Sequence, residues 1–109
     1  MSDYLKILGQ AAPSGSVLTN IYTVPSGSSA TISTITVCNR ASPQALFRVS
    51  VAATGSVDTT KQYIYYDVPI DSNETFATTI GITLASLDVV RGYSNTSNLS
   101  FNVFGVEVI

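Results

Sequence analysis

The residues that could do chemistry in this 109-residue chain are few and scattered. It has no histidine, so the usual base for activating a serine, threonine or cysteine nucleophile is missing. A Ser–Lys pair would have to use Lys6 or Lys61, and no serine stands at a spacing from either that suggests one. The single cysteine, Cys38, falls between Val37 and Asn39 at the end of an apolar run, where it reads as a small, buried, functionally silent hydrophobe. One cysteine without histidine can build neither a zinc site nor an intramolecular disulfide. Only Asp67-Val68-Pro69-Ile70-Asp71-Ser72-Asn73-Glu74 has metal-ligand character. Its oxygens suit calcium, but their spacing matches no calcium loop, and a strand, a proline-directed turn and an Asx-turn account for it more simply. No Gly-x-Gly phosphate motif occurs, and Ser26-Gly27-Ser28-Ser29 joins two apolar runs as a turn instead of opening a helix. The expectation is a binding or structural module: no enzyme, no cofactor, no metal.

A contact surface is easier to find than a catalytic one. Tyr63-Ile64-Tyr65-Tyr66 concentrates aromatic side chains in one run. Tyrosine offers a large amphipathic face at low entropic cost, which suits a protein or carbohydrate contact, and it is also a good strand former. On strict alternation, Ile64 and Tyr66 share the core face while Tyr63 and Tyr65 point outward. Tyr63 and Tyr65 are therefore the expected partner contacts, with Tyr4 and Lys6 of the N-terminal run as a second candidate surface.

Charge excludes other partners. The net charge is −2, and only 11% of residues are charged against about 25% in an average protein. Lys6, Arg40, Arg48, Lys61 and Arg91 form no cluster of the kind that phosphate contacts need, so no nucleic acid is expected. No apolar run approaches the roughly 18 residues of a membrane helix, and no membrane partner is expected. Met1 to Lys6 lacks the basic-then-apolar pattern of a secretory signal, so synthesis in a reducing cytoplasm is expected. The Asn-x-Ser/Thr sequences at Asn73, Asn95 and Asn98 are read as chance in a chain with 28 Ser and Thr.

The elements that must carry these residues are strands. Val, Ile and Thr number 34, and Gly, Pro, Asn and Ser punctuate the apolar runs. The runs are 4–9, 17–24, 30–39, 45–53, 61–68, 75–84, 87–93 and 99–109. They predict an all-β antiparallel sandwich of about eight strands, Ig-like or jelly-roll-like, in one domain over 1–109, with 1–16 an N-terminal arm or edge strand. Phe47-Arg48-Val49-Ser50-Val51 alternates strictly, as in a half-buried strand. Two runs switch parity, Ile32 against Ile35 and Val37, and Leu99, Phe101 and Val103 against Phe104, Val106 and Val108. Bulges at Ser33-Thr34 and near Gly105 explain this; burial on both faces is the alternative. Single helical turns fit only 69–73 and 84–88.

Taken together, Lys6-Ile7-Leu8-Gly9-Gln10-Ala11-Ala12-Pro13, Ile21-Tyr22-Thr23-Val24-Pro25, Val37-Cys38-Asn39-Arg40, Tyr63-Ile64-Tyr65-Tyr66-Asp67-Val68-Pro69-Ile70, Gly81-Ile82-Thr83-Leu84 and Ser100-Phe101-Asn102-Val103-Phe104-Gly105-Val106-Glu107 resemble a family of small virion proteins of tailed bacteriophages. The resemblance implies a non-enzymatic structural protein of the virion, first a capsid decoration (cement) protein that stabilises the head shell. The alternative is a tail, neck or fibre component, including a host-surface adhesin module. The implied partners are the major capsid protein or other virion proteins and further copies of the chain, a trimer being favoured. A charge-poor surface is compatible with this, because its contacts would not rest on ion pairs that salt screens.

Overall fold

The turn residues divide the chain where expected. The computed structural model describes residues 2–109 and contains β1 (Asp3–Ala11), β2 (Thr19–Thr23), β3 (Ser29–Asn39), β4 (Ala45–Ala52), β5 (Tyr63–Ile70), β6 (Thr75–Leu84), β7 (Val89–Ser94) and β8 (Leu99–Val108). Two short 3-10 turns, Ala53–Gly55 and Thr60–Gln62, lie in the β4–β5 connection and not at the two places the sequence suggested. At the second of these Thr59 and Gln62 cap one another reciprocally. The segments around 69–73 and 84–88 close instead as simple turns, Glu74 N–H to Asp71 C=O and Asp88 N–H to Ala85 C=O.

The strands form two antiparallel four-stranded sheets, β1-β8-β3-β6 and β2-β7-β4-β5. Among the described residues the chain is doubled about its β4–β5 loop: β4 pairs with β5, β3 with β6, β2 with β7 and β1 with β8. The doubled ribbon is then rolled so that β8 also meets β3 and β7 also meets β4. This strand order is that of a jelly roll, which settles the choice left open between jelly-roll-like and Ig-like sandwiches. The inner faces bury Phe47, Phe101, Ile32, Ile35, Leu84, Leu99, Val37, Val49, Val90 and Val103 completely. Each such side chain contributes roughly 1.5–3 kcal/mol by leaving water.

A crease crosses the first sheet at one level. Ser33 is an extra residue of β3 opposite Phe104 and Gly105 of β8, which is the bulge the parity switch predicted. On the other side of β8, Leu8 of β1 is extra opposite Phe104 and Val103. Ile80 and Gly81 of β6 stand together opposite Ser33. The bulge expected near Gly105 is absent from β8 itself. That strand alternates without interruption, so Gly105 and Glu107 follow Leu99, Phe101 and Val103 to the inside, and Phe104, Val106 and Val108 face out. Gly105 is required there, because a Cβ would be driven into the Thr31 carbonyl oxygen.

Uninterrupted alternation carries a glutamate indoors. Glu107 is buried; its Oε2 accepts a hydrogen bond from the Tyr22 hydroxyl at 2.6 Å, and its Oε1 meets Lys6 Nζ at 3.1 Å. The Tyr22 hydrogen bond, helped by Lys6 and opposed by burial, holds the Glu107 carboxyl below the ordinary carboxylate range. Burial first, and then the carboxylate, push the Tyr22 phenol far up. Lys6, a candidate partner contact, thus directs its ammonium to a carboxylate of its own chain and ties the edge strand β1 to the opposite sheet through Glu107. A carboxyl with a depressed folded pKa stabilises the fold above its unfolded pKa of about 4.3 and loses that contribution as pH falls through the folded value. Glu107→Gln is expected to cost about 1–3 kcal/mol at neutral pH and to flatten the acid side of the stability–pH curve, read by urea unfolding at stepped pH.

Candidate interaction surface

The aromatic run lies on β5, an edge of the second sheet, and two bulges decide where its rings go. Tyr63 pairs with Ser50 and Tyr65 with Val49, so Ile64 is an extra residue. Val68 pairs with Phe47, so Tyr66 and Asp67 together stand opposite Arg48. Asp67 takes φ of 52°, a left-handed conformation that aspartate tolerates better than most residues. Tyr63 faces outward, as expected. Tyr65 does not: its ring packs on the core, 5.4 Å from Phe76 and 6.3 Å from Phe47 between centroids. Tyr66 and Ile64, assigned to the core by strict alternation, are exposed instead. The physical reason is that each inserted residue resets the alternation, returning Tyr65 to the inner face and Tyr66 to the outer one.

The outer face of the second sheet therefore carries a compact aromatic–arginine cluster. The Arg48 guanidinium lies 4.1 Å from the Tyr66 ring centroid and 4.3 Å from that of Tyr93. Its Nε donates to Asp67 Oδ1 at 2.6 Å. The Tyr63 ring meets Tyr66 edge-on at 5.0 Å, and its hydroxyl donates to Asp58 Oδ2 at 3.0 Å. Burial, then the Asp58 hydrogen bond, raises the Tyr63 phenol pKa. Thr60, Tyr63 and Tyr66 line an open cleft of about 380 Å³. Tyr66 remains 56% exposed although cation and ring both pack on it, which leaves aromatic area for a partner.

Polar anchors hold the loop beside this cluster. Arg91 donates to Ser56 C=O at 2.9 Å, to Gly55 C=O at 3.2 Å and to Asn20 Oδ1 at 3.2 Å. The buried Gln62 amide donates to Ser56 Oγ at 3.1 Å and to Val57 C=O at 3.0 Å. Asp88 Oδ1 accepts from Thr54 N–H at 2.9 Å, supporting a threonine held at φ of 50°. The sequence reading missed Arg48, Tyr66 and Tyr93 as members of one surface. The available signal was the alternation about Phe47 and Val49, which turns Arg48 outward.

The other singled-out residues do not join the cluster. Tyr4 is half-exposed on β1, an edge of the first sheet, and pairs with Glu107 across the ladder. The acidic stretch disperses: Asp67 goes to Arg48 and Asp71 Oδ1 accepts from Gln44 at 2.7 Å. Among the described residues no three His, Cys, Asp or Glu side chains converge as metal ligands would. Cys38 lies half-buried on the outer face of β3 opposite Ser100 and Thr75, not in the core as expected, because the Ser33 bulge puts Val37 and Asn39 inside.

No protein-family model and no curated protein sequence matches the chain. Among solved structures it is similar to a chain in the acidic stable capsid structure of Helicobacter pylori bacteriophage KHP30. The TM-score is 0.54 at 18% identity, covering 100% of this chain and 89% of that one. It is also similar to a chain in the structure of infectious bursal disease virus Gx strain, with a TM-score of 0.55 at 11% identity. That match covers 97% of this chain but 32% of the other, so the present chain spans about a third of that protein. At such identities the likeness is one of fold. An eight-stranded antiparallel β-sandwich of the kind seen in these two virus structures is the class to which this domain belongs.

The two adjacent tyrosines are expected to separate cleanly on substitution. Tyr65→Ala removes a ring packed on Phe47 and Phe76 and should cost about 2–4 kcal/mol. Tyr66→Ala on the exposed face should cost no more than about 1 kcal/mol. Denaturant midpoints of the two single variants check this, and equal losses would contradict the assigned faces.

Proposed function

We propose that this protein is a non-enzymatic structural component of a bacteriophage particle, and that its role there is capsid decoration, reinforcing the head shell. The observation that carries the reading is the full-length likeness in fold to a chain of the KHP30 capsid structure, one small sandwich matching nearly the whole of another. The family resemblance of the sequence points the same way. In this reading the major capsid protein is the partner, and the contact is the outer face of the second sheet, where Arg48, Tyr66 and Tyr93 are stacked beside Tyr63. Tyrosine and arginine are the side chains that most often dominate binding at the centre of an interface. The anchored 53–62 loop adds a rigid border, which lowers the ordering cost of association.

Arg48→Ala combined with Tyr66→Ala is expected to yield a folded protein whose occupancy on particles falls tenfold or more, since such anchors contribute roughly 1–4 kcal/mol each. Occupancy is read as the ratio of this protein to the major capsid protein in purified particles. Particles lacking the protein should assemble but break at lower temperature than complete ones. Particles that keep full heat resistance yet fail to adsorb to cells would transfer the protein to the tail and make the same cluster an adhesin surface.

A further inference from the structure

The two sheets leave four edges: β1 and β6 in the first, β2 and β5 in the second. An edge strand presents unpaired N–H and C=O groups to any passing strand, and natural proteins normally protect it by shortness, charge, proline or a bulge. Three of these edges are protected in that way. β2 has only five residues and a register shift after Asn20. β5 carries Pro69, Asp67 and two bulges. β1 carries Asp3, Lys6 and the Leu8 bulge. β6 differs: Thr75-Phe76-Ala77-Thr78-Thr79-Ile80-Gly81-Ile82-Thr83-Leu84 is ten residues long, with no charged residue and no proline. It alternates evenly along its length and, like the other edges, has an extra residue, at Ile80–Gly81; what sets it apart is its length without charge or proline.

We infer that the free edge of β6 is a self-association site, pairing antiparallel with β6 of a second copy about a two-fold axis. Charge chooses the occupant. In a two-fold pair each residue opposite another is met in return by the same combination, so a charged strand would risk setting like charges opposite one another. β6 has none, and its outward row is Thr75, Ala77, Thr79, Gly81 and Thr83, for which threonine cross-strand pairs are favourable.

The neighbouring surface fits the same occupant. Across the outer face of the first sheet, Thr31 stands beside Val106 and Leu5, and Thr34 beside Phe104 and Ile7, with Asp3 at the far edge the only charged strand residue among the described residues. Joining two β6 edges extends the β3–β6 ladder into an eight-stranded sheet whose outer surface is uncharged across the seam. The pairing adds about one backbone hydrogen bond per overlapping residue. Self-pairing of β6 does not depend on the virion reading, and it stands apart from the three-fold association that the family resemblance suggests.

The test uses the full chain in solution, with its mass followed against concentration by sedimentation and amide exchange followed along β6. The wild type is expected to form dimers, with protection within 75–84 rising as dimer accumulates. Thr79→Lys, at an exposed mid-strand position, should match the wild-type melting temperature at concentrations where both are monomeric and weaken association tenfold or more. Leu5→Lys, at the opposite edge of the same sheet, should leave the dimer intact. A chain that stays monomeric at millimolar concentration, one that forms trimers, or a dimer that Thr79→Lys leaves unchanged while Leu5→Lys dissolves it would each overturn the assignment.

Discussion

The structure depends on the crease in the first sheet. β8 runs between β1 and β3, and each neighbour spends one extra residue opposite Phe104, Leu8 on one side and Ser33 on the other. Bulges bend the strand that contains them and increase its twist. Placed side by side, they bend a whole sheet at one level. The backbone of β8 can pass there because Gly105 presents no Cβ to the Thr31 carbonyl. Beyond the crease β8 still points its odd-numbered residues inward, which brings Glu107 under the second sheet to Tyr22 and within reach of Lys6. The polar closure of one end of the sandwich therefore follows from the geometry of its most central apolar strand.

The second sheet uses the same device for a different result. Its bulges sit in an edge strand, where added residues need not be matched on a further neighbour, and they set the side chains of β5 individually. Tyr65 is sent to the core with Phe47 and Phe76, and Tyr66 to the surface over Arg48. The outcome is a molecule with two unlike exteriors. One sheet shows threonine and aliphatic side chains with almost no charge; the other shows aromatic rings organised around one guanidinium, with an arginine-pinned loop alongside. A small protein whose broad faces differ in this way is suited to meeting two different neighbours in an assembly.

Much of this was legible in the residues. The eight strands could be read because turn formers, Pro13, Gly15, Pro25, Gly27, Pro43, Gly55, Asn73, Ser86 and Asn95 among them, interrupt the β-branched runs. The Ser33 bulge could be read because Ile32 and Ile35 are both strongly apolar, so the change of parity has one economical cause. The corresponding inference at Gly105 failed because the inward positions after Val103 are a glycine and a glutamate. Apolar residues on the outward side then looked like the buried set. The orientation of Tyr65 and Tyr66 was out of reach for a related reason: tyrosine satisfies either face, and nothing but the tolerance of Asp67 for a positive φ hinted at an inserted residue. Of the acidic stretch, the strand and the turn were legible: β5 runs to Ile70 and Glu74 N–H closes a turn on Asp71 C=O, while Arg48 and Gln44 supply carboxylate partners that composition could not specify.

In the proposed function this jelly roll sits on a phage head with its aromatic face toward the shell. A cryo-electron microscopy reconstruction of the particle tests it most directly. Repeated density for the sandwich over the capsid lattice is expected, with β4, β5 and β7 turned toward the capsid protein and the Arg48–Tyr66–Tyr93 cluster in the contact. Density confined to the tail, or lattice-bound density with the first sheet's uncharged face against the capsid protein, would contradict it.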